Sequence, residues 1–240
     1  MILPNVRATF GRTEANYVVW LLTRGSERER DAAEVRLREE GFDNILDDPR
    51  TFNALLAHVG LSTAPQPLVF YVLVRHALLE DGINDRVFAD YLAALLLEFG
   101  KGRRAWRIDD QDGPEFNYLA DLVAAAEDAS GHRAFLLRAH LGEFALWLSG
   151  LFPDQIEARV HRRGAPGLGY YEALGASGFR SAADHRYAER NGLDRVYRAC
   201  ADSFVALRIA LNRISDRHLF PNRGDPIDRL LRQVRDGFQN

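Results

Sequence analysis

Two side chains able to move a proton stand three residues apart, His140 and Glu143, in a stretch otherwise rich in leucine, phenylalanine and alanine. If that stretch is helical, positions 136, 140, 143 and 147 share one stripe. The imidazole and the carboxylate then lie between Leu136 and Trp147 rather than on an open face. A carboxylate among apolar neighbours is costly unless paired, and burial raises its affinity for a proton. An imidazole beside it can serve as acid or base, so His140 and Glu143 are the candidate catalytic pair. The competing account is a buried polar knot in which Glu143 meets an arginine from another helix. Buried ion pairs commonly serve structure alone, so the knot is preferred.

A second constellation runs through Arg162, Arg163, Gly164, Ala165, Pro166, Gly167, Leu168, Gly169, Tyr170, Tyr171 and Glu172. Two guanidinium groups precede a glycine-bearing loop that feeds a helix start, where free main-chain amides favour an anion. Tyr170 and Tyr171 can stack on a ring or donate hydroxyl hydrogen bonds. Arg162, Arg163, Tyr170 and Tyr171 are therefore the candidate ligand-binding residues, although a plain turn with surface arginines is the simpler reading. The segment lacks the Gly-Lys-Ser/Thr of a phosphate loop, and no strand precedes it as a dinucleotide fold requires.

Other chemistries find less support. A carboxylate-bridged di-metal bundle needs Glu-x-x-His on two helices, and the sequence offers His-x-x-Glu once. We therefore expect no metal site, and no cofactor is indicated. Asp109, Asp110, Gln111, Asp112 and Gly113 fail the calcium-loop pattern, because the terminal bidentate position falls on Leu119. Ser177 and Ser181 lack the Gly-x-Ser-x-Gly elbow. Cys200, on an apolar stripe, reads as a small inert core residue. His185 sits in a polar stretch and reads as solvated. No motif carries a resemblance to a characterised family.

The elements that must position these residues are helical throughout. Ser26 and Glu29 have capping-box spacing and open a charged surface helix, with Glu34 and Arg38 at i,i+4, that ends before Gly41. A short buried helix precedes it over 14–24. Asp48 and Pro49 begin another, running to about His58 and stopping at Gly60. The apolar run 68–74 continues through Arg75 and His76 to Glu80, and its length favours a helix buried nearly all round. Asn84 caps the next, which stops at Gly100. Further helices are expected over 114–129 (ended by Gly131), 132–151, 153–161, 170–174, 177–189, 194–218 and 225–238. The stripe Tyr197, Cys200, Phe204, Leu207, Leu211 and Ile214 makes 194–218 the longest. No segment alternates with a period of two. The expected fold is all-α, a single domain over 1–240 made of nine to eleven helices with orthogonal or mixed packing. Helices 68–80, 135–151 and 196–214 are apolar on more than one face and need a ring of others around them. A homodimer burying one of them would satisfy the same requirement.

Composition narrows the class. The 240 residues are 47% hydrophobic and 27% charged with a net charge of −3, which excludes disorder. Of the 31 basic residues only Lys101 is lysine, and the arginines are interspersed with 34 carboxylates. The basic cluster Lys101, Arg103, Arg104 and Arg107 around Trp106 is followed by carboxylates, which weighs against nucleic acid. The start of the chain shows no signal-peptide pattern, no run approaches the roughly 20 apolar residues of a membrane span, and a lone cysteine suits a reducing cytoplasm. The preferred expectation is a non-enzymatic interaction or regulatory module whose partner is a protein or a small-molecule ligand, an anionic one fitting Arg162 and Arg163. The alternative is an enzyme with its pocket between the His140/Glu143 helix and the 162–171 segment.

Overall fold

The computed structural model describes residues 1–57, 64–101, 103–109 and 114–221. Among them are thirteen α-helices and no strand, so the fold is all-α. No helix among the described residues is long and apolar enough to cross a membrane. The stop expected at Gly60, the acidic turn from Asp110 to Gly113 and the helix expected over 225–238 lie outside the described residues. The chain divides into two compact units, Pro4–Leu97 and Met1–Leu3 with Glu98–Asn240.

In the unit Pro4–Leu97, α1 spans Arg12–Thr23, α2 Glu27–Glu40, α3 Phe42–Asp47, α4 Pro49–Ala57, α5 Gln66–Glu80, and α6 begins at Arg86 and ends at Phe99. The start of α1 is closed by Glu14, whose carboxylate accepts the Gly11 N–H at 2.8 Å. Ser26 does precede α2, but its hydroxyl makes no capping bond. No residue of α2 is buried, as its charge pattern requires. Its ion pairs are Arg30–Glu34 and Arg36–Glu40, while Arg38 reaches only the carbonyl of Glu34. Gly41, at φ 80°, turns the chain directly into α3, a helix the sequence does not announce. Asp48 caps α4 through the Arg50 N–H at 2.8 Å.

The helix α5 is buried on nearly every side, including Arg75, which is 1% exposed. Burial of a guanidinium is tolerable only when it is paired. Asp47, at the end of α3, accepts two bonds from Arg75 at 2.7 and 2.9 Å and two from Arg86 at 3.1 and 2.8 Å. Asn84 accepts from Arg75 instead of capping α6; Asp85 takes that role, accepting the Phe88 N–H at 3.0 Å.

In the second unit, α7 spans Leu119–Asp128, α8 Gly131–Leu151, α9 Pro153–Arg163, α10 Leu168–Ala183, α11 Arg186–Arg190, α12 Asp194–Asp202 and α13 Phe204–Ile214, followed by a π-helical turn over Ser215–Leu219. Three expectations are corrected. Pro114 opens no helix: Phe116 turns inward and donates its N–H to the Trp106 carbonyl at 2.7 Å, so α7 starts only at Leu119. Residues 170–174 belong to one continuous helix, α10, which Gly175 and Gly178 do not break. The stretch 194–218 is interrupted at Ser203, which leaves α8 the longest described helix.

Packing in this unit centres on α8, whose broadest interface is with α10. Glycines set their separation. A Cβ on Gly178 would stand 2.8 Å from the Gly142 nitrogen and 2.9 Å from the Arg138 carbonyl oxygen; one on Gly142 would stand 2.6 Å from the Phe179 ring. Gly175 similarly admits the Phe204 ring. Alanine in place of a helical glycine ordinarily gains up to about 1 kcal/mol. At Gly178 the obstacle is main chain that cannot swing aside, so Gly178→Ala is expected to cost about 1–3 kcal/mol net by urea unfolding. Gly169→Ala, with nothing within 4 Å, is the control and is expected to be neutral or stabilising. Equal effects from the two would contradict the close approach.

Candidate functional site

The helix α8 carries His140 and Glu143 inward, each 2% exposed, with His140 Nδ1 3.9 Å from Glu143 Oε2. The imidazole lies in an aromatic box. It stacks on Phe144 with ring centres 5.8 Å apart and tilts against Phe99 at 5.4 Å. Trp106 closes over the same rings, edge-on to Phe144 at 5.1 Å and to Trp147 at 6.0 Å. Neither ring nitrogen of His140 makes a well-formed hydrogen bond. Burial, reinforced by the nearby Arg104, drives the imidazole down to about pH 3 against a main-chain contact at Ala105 that favours protonation. The ring is therefore neutral at ordinary pH and walled off from water. Beyond it, burial and then the charge of Glu143 push the Cys200 thiol up, and Cys200 is fully enclosed, as its apolar stripe implies.

The 162–171 segment is placed differently. Arg162 and Arg163 end α9 on the surface, and Arg162 bonds only the carbonyl of Ala158 at 3.2 Å. Gly164 then reverses the chain at φ 60°. Tyr170 is 37% exposed and meets Tyr171 edge-on at 5.8 Å. Burial raises the Tyr171 hydroxyl, and the residue that opposes this is Arg159, not Arg162 or Arg163. None of His140, Glu143, Arg162, Arg163, Tyr170 or Tyr171 lines either of the two cavities described below. His185 is not freely solvated: its ring caps α11 by accepting the Tyr187 N–H at 3.3 Å and stacks on the Tyr187 ring.

The residue of that segment which does matter to the interior is Glu172. It binds Arg208 at 2.7 Å, and Arg208 is 1% exposed. Arg208 donates in turn to Asn212 Oδ1 at 2.8 Å, and the Asn212 amide donates to the Ser149 and Gly150 carbonyls at 2.8 and 2.7 Å. In the basic cluster Arg103 and Arg107 share one carboxylate, Glu115. Among the described residues no group of three or more His, Cys, Asp or Glu is placed to hold a metal ion.

The open concavity lies elsewhere, within the unit Pro4–Leu97. A cleft of about 980 Å³ is formed by the last turn of α1 (Trp20 to Arg24) together with α2, α3 and α4. Its walls are largely small and apolar, with Leu22, Ala32, Ala33, Ile45 and Ala54 among them. Arg24, Arg36, Arg50 and Glu29 supply its charges. Arg36 and Arg50 are committed to Asp48, at 2.5 and 2.9 Å. Burial opposes ionisation of Asp48, but the bonds from Arg50 and Arg36 outweigh it and hold the carboxyl well below its usual range. The one trace of this cleft in the sequence is the Ala32-Ala33 pair, two small residues in a mostly charged helix. A second hollow of about 540 Å³ lies beside the break at Ser203, between Ala173 and Ala176 of α10 and Val205 of α13.

The sealed imidazole has a consequence in acid. Unfolded, the ring takes up a proton near its ordinary 6.5; folded, it does so only near 3. Stability from this group is thus unaffected well above pH 6.5 and falls as the pH drops from about 6.5 towards 3, by up to about 1.4 kcal/mol per unit. Denaturation at pH 7.5 and 4.5 is expected to show the wild type losing about 2–3 kcal/mol more than His140→Leu. Parallel losses in the two proteins would show that His140 reaches solvent.

No family model, no characterised protein and no solved structure matches the chain, so a reading of its function rests on its own residues.

Proposed function

We propose that the chain is a non-enzymatic binding module that holds a small molecule with an apolar body in the cleft formed by α1, α2, α3 and α4. The observation that carries this reading is the cleft itself. At about 980 Å³ it is the size of a small-molecule site, and its mainly apolar walls carry a few charged groups at defined places. Ala32 and Ala33 of α2 and Ala54 and Ala57 of α4 face it, which leaves room for a ligand. The enzymatic alternative draws no support from the geometry. Its acid–base pair is enclosed with a neutral imidazole, and its ligand residues line neither cavity described. A cytoplasmic setting fits a chain whose single cysteine is buried and free.

Isothermal titration with decanoate and with decanol tests the reading. Both are expected to bind, and Ala54→Phe, which puts a ring into the cleft, is expected to weaken both at least tenfold. Its unfolding free energy should stay within about 1.5 kcal/mol of the wild type, because the new side chain enters open space rather than a packed core. Absence of binding, or equal affinity in the folded variant, would refute the assignment.

A further inference from the structure

Resting on that reading, we infer that the ligand carries an anionic group and that Arg24 is the residue that selects it. Three arginines line the cleft, yet two of them have their charge answered within the fold. Arg36 binds both Glu40 and Asp48, and Arg50 binds Asp48 through its side chain and its main-chain N–H. Arg24 is exposed, and its guanidinium meets no hydrogen-bonding or ionic partner among the described residues.

The backbone at Arg24 supplies the second observation. Its φ is 49°, and it is the only non-glycine residue at positive φ among the described residues. It ends α1 in a left-handed turn: the Arg24 N–H reaches the Leu21 carbonyl and the Gly25 N–H reaches the Trp20 carbonyl at 3.2 Å. This is the double closure in which glycine is the favoured residue at the first position beyond the helix, because a Cβ there is strained. Each of the other residues at positive φ is a glycine, from Gly25 to Gly192. A large charged side chain held in the strained conformation, at the lip of an open cleft, is the pattern of a residue kept for what it binds.

The order of the turn is also fixed. Gly25 stands at φ 76°, and a Cβ there would also come within 3.3 Å of Trp20 Nε1, so glycine is favoured at 25 and the charged residue stands at 24. Glu29, the one acid in the lining, lies in the first turn of α2, where a carboxylate is favoured by the helix dipole without any ligand. The cleft thus offers an apolar wall and a single uncommitted guanidinium. That combination fits an amphiphile ending in a carboxylate or phosphate, with two parallel N–H donors for its oxygens.

The experiment compares decanoate, decanol and decylammonium on the wild type, Arg24→Gly and Arg24→Lys. The wild type is expected to bind decanoate about tenfold more tightly than decanol, and decylammonium most weakly. Arg24→Gly is expected to weaken decanoate about tenfold relative to decanol, which removes the preference, and to raise the melting temperature by about 2–4 °C as the strain is released. Arg24→Lys should restore only part of the preference, because an ammonium keeps the charge but lacks the paired parallel donors. Equal binding of decanoate and decanol by the wild type, or an unchanged ratio in Arg24→Gly, would overturn the role of Arg24 while leaving the cleft in place. Binding of none of the three probes would instead remove the cleft reading, and this inference with it.

Discussion

A helix enclosed on nearly every side has no water for the carbonyls of its last turn, and α8 meets that constraint with side chains from one neighbour. The Leu148 carbonyl is taken by the Phe152 N–H at 2.9 Å. Those of Ser149 and Gly150 accept from the Asn212 amide, and that of Leu151 accepts from the Ser215 hydroxyl at 2.8 Å. All four orphan acceptors of the helix end are thereby satisfied. Arg208 fixes which way the amide faces, by donating to its oxygen, and Glu172 answers the charge of Arg208. One chain of polar contacts therefore ties α8 and α10 to α13. It forms only because the glycines let α8 and α10 approach closely, and because Gly150 lets Leu211 lie against α8: a Cβ there would stand 2.8 Å from it. Apolar packing and polar satisfaction are here the same constraint.

That arrangement explains why the polar residues of α8 are poor candidates for chemistry on a substrate. Ser149 is used within its helix, bonding the Ala145 carbonyl at 2.7 Å, and His140 is held neutral among aromatic rings. The unit Pro4–Leu97 shows the opposite economy. Its buried Arg75 is answered by the half-buried Asp47, while the cleft beside α1 retains charge that the fold does not consume. A group that the interior neutralises supports structure; one left uncommitted beside an open apolar wall is available to a ligand.

Much of this was legible in the sequence, for identifiable reasons. An unbroken apolar run is a strong signal, so α5 and α8 and their all-round burial could be read from composition. Gly41 and Asp48-Pro49 marked helix boundaries through chemistry that acts locally. The burial of His140 and Glu143 followed from their stripe between Leu136 and Trp147. What escaped has equally physical causes. The helix α3 is six residues between two stop signals, too short for a period to show. The break at Ser203 leaves the apolar stripe in phase on both sides, so nothing announces it. The pairings of Arg75 and Arg208 leave no local signal, because their partners, Asp47 and Glu172, are 28 and 36 residues away. The cleft draws its lining from four helices, none of which carries a motif by itself.

On the proposed function, the α8 pair is structural and binding belongs to the cleft. Amide chemical-shift mapping of the isotope-labelled protein, titrated with decanoate, tests it most directly. Shifts are expected only at Trp20, Leu22, Arg24, Ala32, Ala33, Arg36, Asn53 and Ala54, with His140 and Glu143 unmoved. Shifts centred on His140, Glu143 and Tyr171 would contradict it and return the function to α8.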